Sequence, residues 1–185
     1  MNNNIFKLIF INLLIMFSFI NFGKANYDKV FFDHSIKSID GNEINLNEYK
    51  NKAVLLVNVA SYCGFTKQYG DLQYLWDKYK ESGLIVLGVP SRSFNQEKSS
   101  PDEVKEFCEV NFSITFPLTD IYDVKGDNAH QIYKWAKKNH GKNSVPKWNF
   151  HKILINKDGK IEDTFASFTK PNSKKIVNAI EKLLN

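Results

Sequence analysis

The chain has 185 residues, of which 43% are hydrophobic and 24% are charged. This length suits one domain with its own core, and 15 Phe with 8 Tyr exclude a disordered chain. Two Cys are too few for a disulfide scaffold or for a zinc site of several thiolates, and the net charge of +5 is dispersed among acids, so we expect no nucleic-acid partner.

The first 25 residues predict a secretory signal peptide. A short polar start containing Lys7 precedes an apolar run at residues 8–22, and the small residues Gly23 and Ala25 suit a cleavage site after Ala25. The run is shorter than the roughly 20 residues that span a bilayer, which favours cleavage over the alternative of an uncleaved membrane anchor. We therefore expect one exported domain, residues 26–185, that is periplasmic or secreted, with no stable membrane insertion after cleavage.

The exported part of the chain predicts alternating strands and helices. Continuous apolar runs predict buried strands at 53–60 and 84–89, and a short extended piece is expected at 116–118. Helices are expected at residues 66–82, 101–111, 128–139 and 172–184. Hairpins are expected at residues 31–46, around Asp40-Gly41-Asn42, and at 149–167, around the turn 157–159. This order predicts an α/β protein: a thioredoxin fold with an added N-terminal β-hairpin and a mixed central sheet flanked by helices.

Cys63 occupies the position at which such a fold places a reactive group. It follows a buried strand, at the open carboxyl end of the predicted sheet, and it precedes a helix whose unpaired N–H groups favour a thiolate. Position alone also allows a buried, inert cysteine. A local dithiol would need a second Cys three residues later, where this chain has Thr66.

Several co-linear motifs resemble the glutathione peroxidase family. Residues 57–66, Val-Asn-Val-Ala-Ser-Tyr-Cys-Gly-Phe-Thr, resemble its active-site strand and loop. The resemblance covers about residues 29–184. Its further motifs are Gly88-Val89-Pro90, Phe116-Pro117, residues 124–130, Trp148-Asn149-Phe150 with Lys152, Asp158-Gly159 and Lys170-Pro171.

This resemblance implies a thiol peroxidase that reduces hydrogen peroxide or organic hydroperoxides in oxidative-stress defence. The thiolate of Cys63 would cleave the O–O bond and become a sulfenic acid. Donors from Trp148 and Asn149 would lie over the sulfur, which requires an irregular strand start because adjacent strand residues point to opposite faces. The family has a further donor, a Gln, at the position of Ser93; a Ser reaches less far, and Arg92 is a candidate for a substitute positive charge.

Cys108 resembles the resolving cysteine of the family's thioredoxin-dependent branch. In that branch the helix that carries the second thiol unwinds locally so that the thiol can attack the sulfenic acid. The implied reductant is external, a thioredoxin-like protein or glutathione, with no bound cofactor and no metal, since the four His show no ligand spacing. The short connection between the helix 128–139 and Trp148 resembles that of monomeric members. The alternative is a non-catalytic thioredoxin-fold binding protein with a structural Cys63–Cys108 disulfide.

Overall fold

The described part of the chain contains six strands and four α-helices. The computed structural model describes residues 27–185, so the predicted signal peptide lies outside the described residues. The strands are β1 (Ile36–Lys37), β2 (Glu43–Ile44), β3 (Ala53–Val59), β4 (Leu84–Pro90), β5 (Lys152–Ile155) and β6 (Ile161–Phe165). The helices are α1 (Gln68–Tyr79), α2 (Pro101–Phe112), α3 (Gln131–His140) and α4 (Lys174–Leu184).

The central sheet is mixed, as predicted, with the strand order β4-β3-β5-β6. The strands β3 and β4 pair in parallel, with Val54 opposite Ile85, whereas β5 runs antiparallel to both β3 and β6. Every residue of β3 and β4 is buried, because helices cover both faces of this sheet. The thioredoxin fold predicted from the order of elements is confirmed.

Two apolar clusters hold the helices against the two faces of the sheet. Alternate residues of β3 point to opposite faces, so Leu55 packs with α1, α2 and α4, whereas Val54 packs with α3 and the N-terminal segment. The helix α3 presents Ile132 and Ala136 to the second cluster, and α4 presents Ile176 to the first. The parallel β3–α1–β4 unit thereby places the loop after β3 at one open edge of the sheet.

The structure departs from the predicted elements mainly at the two hairpins, and the helix predicted from residue 128 begins only at Gln131. The N-terminal hairpin is confirmed but short, because residues 31–33 and 46–49 form single 3₁₀ turns that flank two-residue strands. The strand predicted from residue 149 is wrong at its start, since β5 begins only at Lys152. Phe150 has a left-handed φ of 62°, a conformation that cannot continue a strand. Within residues 27–185, no helix is both long and apolar enough to cross a membrane.

Candidate active site

Cys63 lies in the turn that joins β3 to α1, and it is almost wholly buried, with 7% of its surface exposed. The N–H of Phe65 points at its sulfur, with 3.4 Å between N and Sγ. Thr66 closes the turn, because its N–H and its hydroxyl both donate to the Cys63 carbonyl. Thr66, which stands where a thioredoxin-like dithiol would have its second thiol, thus stabilises the turn. The N–H of Phe65 is available as a donor to a thiolate on Cys63.

Glu97 fastens the Cys63 turn to the loop that follows β4. One carboxylate oxygen accepts the Ser61 N–H at 3.0 Å, the Ser61 hydroxyl, and the N–H of Lys98 at 2.8 Å. Burial raises the pKa of Glu97, and the hydrogen bonds from Ser61 and Lys98 oppose this shift. Sequence reasoning did not select Glu97 as a site residue, although an acid beside a predicted reactive loop was a visible signal.

Gln96 connects the same turn to the segment that carries the predicted donors. Its carbonyl accepts the N–H of Tyr62 at 2.9 Å, and its side-chain oxygen accepts from Nδ2 of Asn149 at 2.9 Å. Asn149 is fully buried, and its own side-chain oxygen has no hydrogen-bond partner among the described residues. The structure therefore places Asn149 next to the loop that contacts the Cys63 turn.

A second buried carboxamide, that of Asn58 on β3, shapes the turn at residues 148–151. Its Nδ2 donates to the carbonyl of Trp148 at 3.2 Å, and its Oδ1 accepts the N–H of His151 at 3.1 Å. Its main-chain carbonyl accepts the N–H of Phe150 at 2.6 Å, which holds that residue in its left-handed conformation. The irregular strand start expected before β5 is present, and Asn58 is its cause. A single polar residue within an apolar strand was the sequence signal for this role, because buried amides need partners.

Trp148 lies at the surface of this turn, with 42% of its surface exposed and its ring packed on Phe94 at a centroid distance of 5.2 Å. Within residues 27–185, the hydrogen bond that reaches the Cys63 sulfur is that of Phe65, and neither Trp148 nor Asn149 donates to it. The structure thus brings the Trp148–Asn149 turn to the Cys63 region through Gln96 and Asn58, without a direct bond to the sulfur.

Ser93 and Arg92 direct their polar groups away from the sulfur. The Ser93 hydroxyl donates to Asp123 at 3.2 Å and accepts the N–H of Val124 at 3.0 Å. Arg92 is exposed, and its guanidinium donates to the carbonyl of Ser99 at 2.7 Å. The suggestion that either residue serves the sulfur in place of the missing Gln finds no contact in this structure, because both side chains stabilise neighbouring loops.

Cys108 lies on α2 and is fully buried in the same apolar cluster as Cys63. Both cysteines are free thiols, so the Cys63–Cys108 disulfide of the alternative is absent from this structure. Burial raises the pKa of the Cys108 thiol to about 12, so this thiol is protonated and unreactive while α2 remains folded.

An open cavity of about 760 Å³ borders the Trp148 turn. Phe65, Trp148 and Phe168 give it an apolar wall, and Phe168 is 75% exposed. Lys147 and Lys175 add positive charge to the lining. His151 also lines the cavity, and burial lowers its pKa to about 4, so it is neutral near pH 7. Within residues 27–185, no cluster of three or more His, Cys, Asp or Glu side chains is arranged to hold a metal ion.

A thioredoxin-like sheet with a buried cysteine at the carboxyl end of its central strand defines a class of thiol-dependent oxidoreductases. The profile of the glutathione peroxidase family matches residues 31–137. A glutathione peroxidase-like peroxiredoxin of Schizosaccharomyces pombe is 41% identical over 158 residues, which are 83% of this chain and 98% of that protein. The chain therefore belongs to the glutathione peroxidase family and is a thiol peroxidase.

Two further relatives agree with this assignment. A hydroperoxy fatty acid reductase of Synechocystis is 36% identical over 169 residues, which are 86% of this chain and 99% of that protein. The crystal structure of Trgpx in its apo form superposes with a TM-score of 0.68 at 36% identity, covering 84% of this chain and 96% of that one. The family takes its reducing equivalents from a thiol.

Proposed function

We propose that Cys63 is the nucleophile of this peroxidase. Its position at the end of β3, with the Phe65 N–H directed at its sulfur, is the observation that carries this proposal. The Cys63 thiolate attacks one peroxide oxygen, the O–O bond breaks, and the leaving oxygen takes a proton to become an alcohol or water. The sulfur is oxidised to a sulfenic acid, and Trp148 and Asn149 are the proposed side-chain donors at this site.

The replacement Cys63→Ser tests this assignment, because the hydroxyl is close in size but does not ionise near neutral pH. We expect peroxide turnover to be lost, with an unchanged circular dichroism spectrum and melting temperature. Retained turnover in this variant would exclude Cys63 as the nucleophile.

Cys108 is the proposed resolving thiol. Its thiolate attacks the Cys63 sulfenic sulfur, the S–O bond breaks, water leaves after proton uptake, and a disulfide forms. The buried position of Cys108 supports a requirement for local unwinding of α2, which brings the thiol towards Cys63. Exposure on unwinding also removes the desolvation that raises the pKa of Cys108, so movement and activation occur together.

The proposed reductant is a dithiol protein of the thioredoxin type, since a dithiol reduces an intramolecular disulfide by two successive exchanges. Cys108→Ser should consume its first equivalent of peroxide but fail to turn over with thioredoxin, and mass spectrometry should show a sulfenic or overoxidised Cys63. The wild type should show a 63–108 disulfide. Equal recycling of both proteins by thioredoxin would contradict the proposal, and turnover of both with glutathione alone would identify glutathione as the reductant.

The cavity beside Trp148 supports a long-chain hydroperoxide as one substrate. Its volume falls within the range of small-molecule sites, its aromatic wall suits an acyl chain, and its lysines suit a carboxylate. A relative named as a hydroperoxy fatty acid reductase agrees with this choice. Phe168→Ser should lower kcat/KM for linoleic acid hydroperoxide and leave that for hydrogen peroxide unchanged. An equal effect on both substrates would place the acyl chain elsewhere.

The proposed location is outside the cytosol, after cleavage of residues 1–25, and the proposed oligomeric state is a monomer. Support for export comes from the polar, apolar and small-residue order of the first 25 residues. Mass spectrometry of the protein recovered from the exported fraction of the expressing cells tests cleavage after Ala25. Sedimentation of the same protein tests whether it is a monomer. A protein that retains Met1, or one that stays in the membrane fraction, would contradict cleavage after Ala25.

A further inference from the structure

Gln96 contacts both halves of the proposed site. Its main-chain carbonyl accepts a hydrogen bond from the N–H of Tyr62, beside Cys63, and its side-chain oxygen accepts one from the carboxamide of Asn149. The next residue, Glu97, accepts hydrogen bonds from Ser61 on the same turn. The backbone that presents the Gln96 side chain is thus fixed to the turn that carries the nucleophile.

Asn149 needs such a partner because its side chain is buried and its two edges have opposite character. A carboxamide presents donors on one edge and an acceptor on the other, and a half-turn exchanges them. A thiolate or a sulfenic acid interacts differently with the two edges, since the carbonyl oxygen repels a negative sulfur. The side-chain oxygen of Gln96 accepts one N–H of Asn149 at 2.9 Å. This hydrogen bond keeps the donor edge of the Asn149 carboxamide towards Gln96 and so prevents the half-turn.

We infer that Gln96 is a positioning residue for peroxide reduction, which holds the Asn149 carboxamide in the orientation that serves Cys63. The inference rests on the proposed role of Asn149 at the sulfur. Ser93, at the position of the family's Gln, accepts a hydrogen bond from Val124 and supplies no carboxamide. Gln96 lies three residues later in the same loop, and its carboxamide contacts Asn149.

A double-mutant cycle in the full chain tests this inference through the second-order rate constant for one equivalent of hydrogen peroxide. Gln96→Met keeps the length of the side chain and removes its oxygen. It should slow the reaction about tenfold, because a coupling energy of about 1.4 kcal/mol between neighbouring residues corresponds to a factor of ten in rate. Asn149→Ala should slow it at least as much. The double variant should react no more slowly than Asn149→Ala, because Gln96 acts through that residue.

A conservative variant and a matched control separate an effect of Gln96 on Asn149 from a general effect of losing a glutamine side-chain oxygen. Gln96→Glu keeps an acceptor for the Asn149 N–H, so Asn149→Ala should cost the same factor in this background as in the wild type. Gln73→Met removes a glutamine oxygen that accepts the Thr115 N–H at 2.8 Å elsewhere on the surface, and should leave the rate unchanged. The melting temperature of Gln96→Met should fall below that of Gln73→Met, because the buried N–H of Asn149 loses its acceptor, and the double-mutant cycle separates this loss of stability from the effect on the rate.

The same measurements separate the role of Gln96 from that of Asn149. Additive effects of Gln96→Met and Asn149→Ala, or an unchanged rate in Gln96→Met, would overturn the role of Gln96 and leave that of Asn149 intact. An unchanged rate in Asn149→Ala would overturn both. Slower alkylation of Cys63 by iodoacetamide at pH 7 in Gln96→Met, with recovery at higher pH, would support an effect on the thiolate.

Discussion

Asn58→Ala should both destabilise the domain and slow the reaction with peroxide, because this side chain holds the turn that carries Trp148 and Asn149. The replacement leaves the N–H of His151 buried without a partner and removes the donor from the Trp148 carbonyl. Each unsatisfied buried group costs about 1–3 kcal/mol, and the Trp148 carbonyl lies nearer the surface, so we expect a total loss of about 2–4 kcal/mol. A loss of 2 kcal/mol alone lowers the melting temperature of a domain of this size by about 4–8 °C.

Urea unfolding followed by tryptophan fluorescence measures the loss in stability, and stopped-flow oxidation measures the rate with hydrogen peroxide. Asn139→Ala is a matched control, because Asn139 donates to the Trp135 carbonyl at 2.9 Å on the half-buried surface of α3. We expect this control to lose less than about 1 kcal/mol. If Asn58→Ala were as stable as the control, Asn58 would not hold the turn. Lowered stability with an unchanged peroxide rate would show that other contacts position Trp148 and Asn149.

Three further predictions concern residues whose contacts were not predicted. Ser93→Ala should cost about 1 kcal/mol in urea unfolding, since the Val124 N–H loses its acceptor, while the peroxide rate stays within about threefold; a larger kinetic loss would return Ser93 to the site. Burial lowers the pKa of Lys152 from 10.5 to about 7, so the unfolded chain binds more protons between these values, and wild-type stability relative to Lys152→Met should rise by about 2 kcal/mol from pH 7 to pH 9. A flat difference would refute that shift. Gly159→Ala should cost about 2–4 kcal/mol, because φ is 75° and the new Cβ would lie 2.8 Å from the Phe32 ring; an unchanged melting temperature would mean that this turn relaxes freely.

The sequence was sufficient to predict the sheet and the helices, since their apolar spacing reflects burial on one face or on both. It predicted the irregular start of β5 only through the requirement that Trp148 and Asn149 share a direction. It could not supply the cause, because the hydrogen bonds from Asn58 join residues about 90 positions apart in the chain. Loop side chains were the hardest to place. The direction of Ser93 depends on Val124, which lies in another loop, and spacing alone contains no information on that contact.

The hydrogen bonds that Asn58 makes from β3 to Trp148 and His151, just before β5, have a consequence for the timing of the proposed catalytic cycle. They join the Cys63 end of the sheet and the Trp148 turn into one framework. Cys108, in contrast, is buried on α2, and its proposed resolving role requires this helix to open. In the proposed cycle, the reaction of Cys63 with peroxide would therefore take place on this preformed framework, whereas disulfide formation would wait for local unfolding of α2. A stabilising osmolyte should therefore lengthen the lifetime of the sulfenic acid much more than it slows its formation, and overoxidation should rise with the stability of α2.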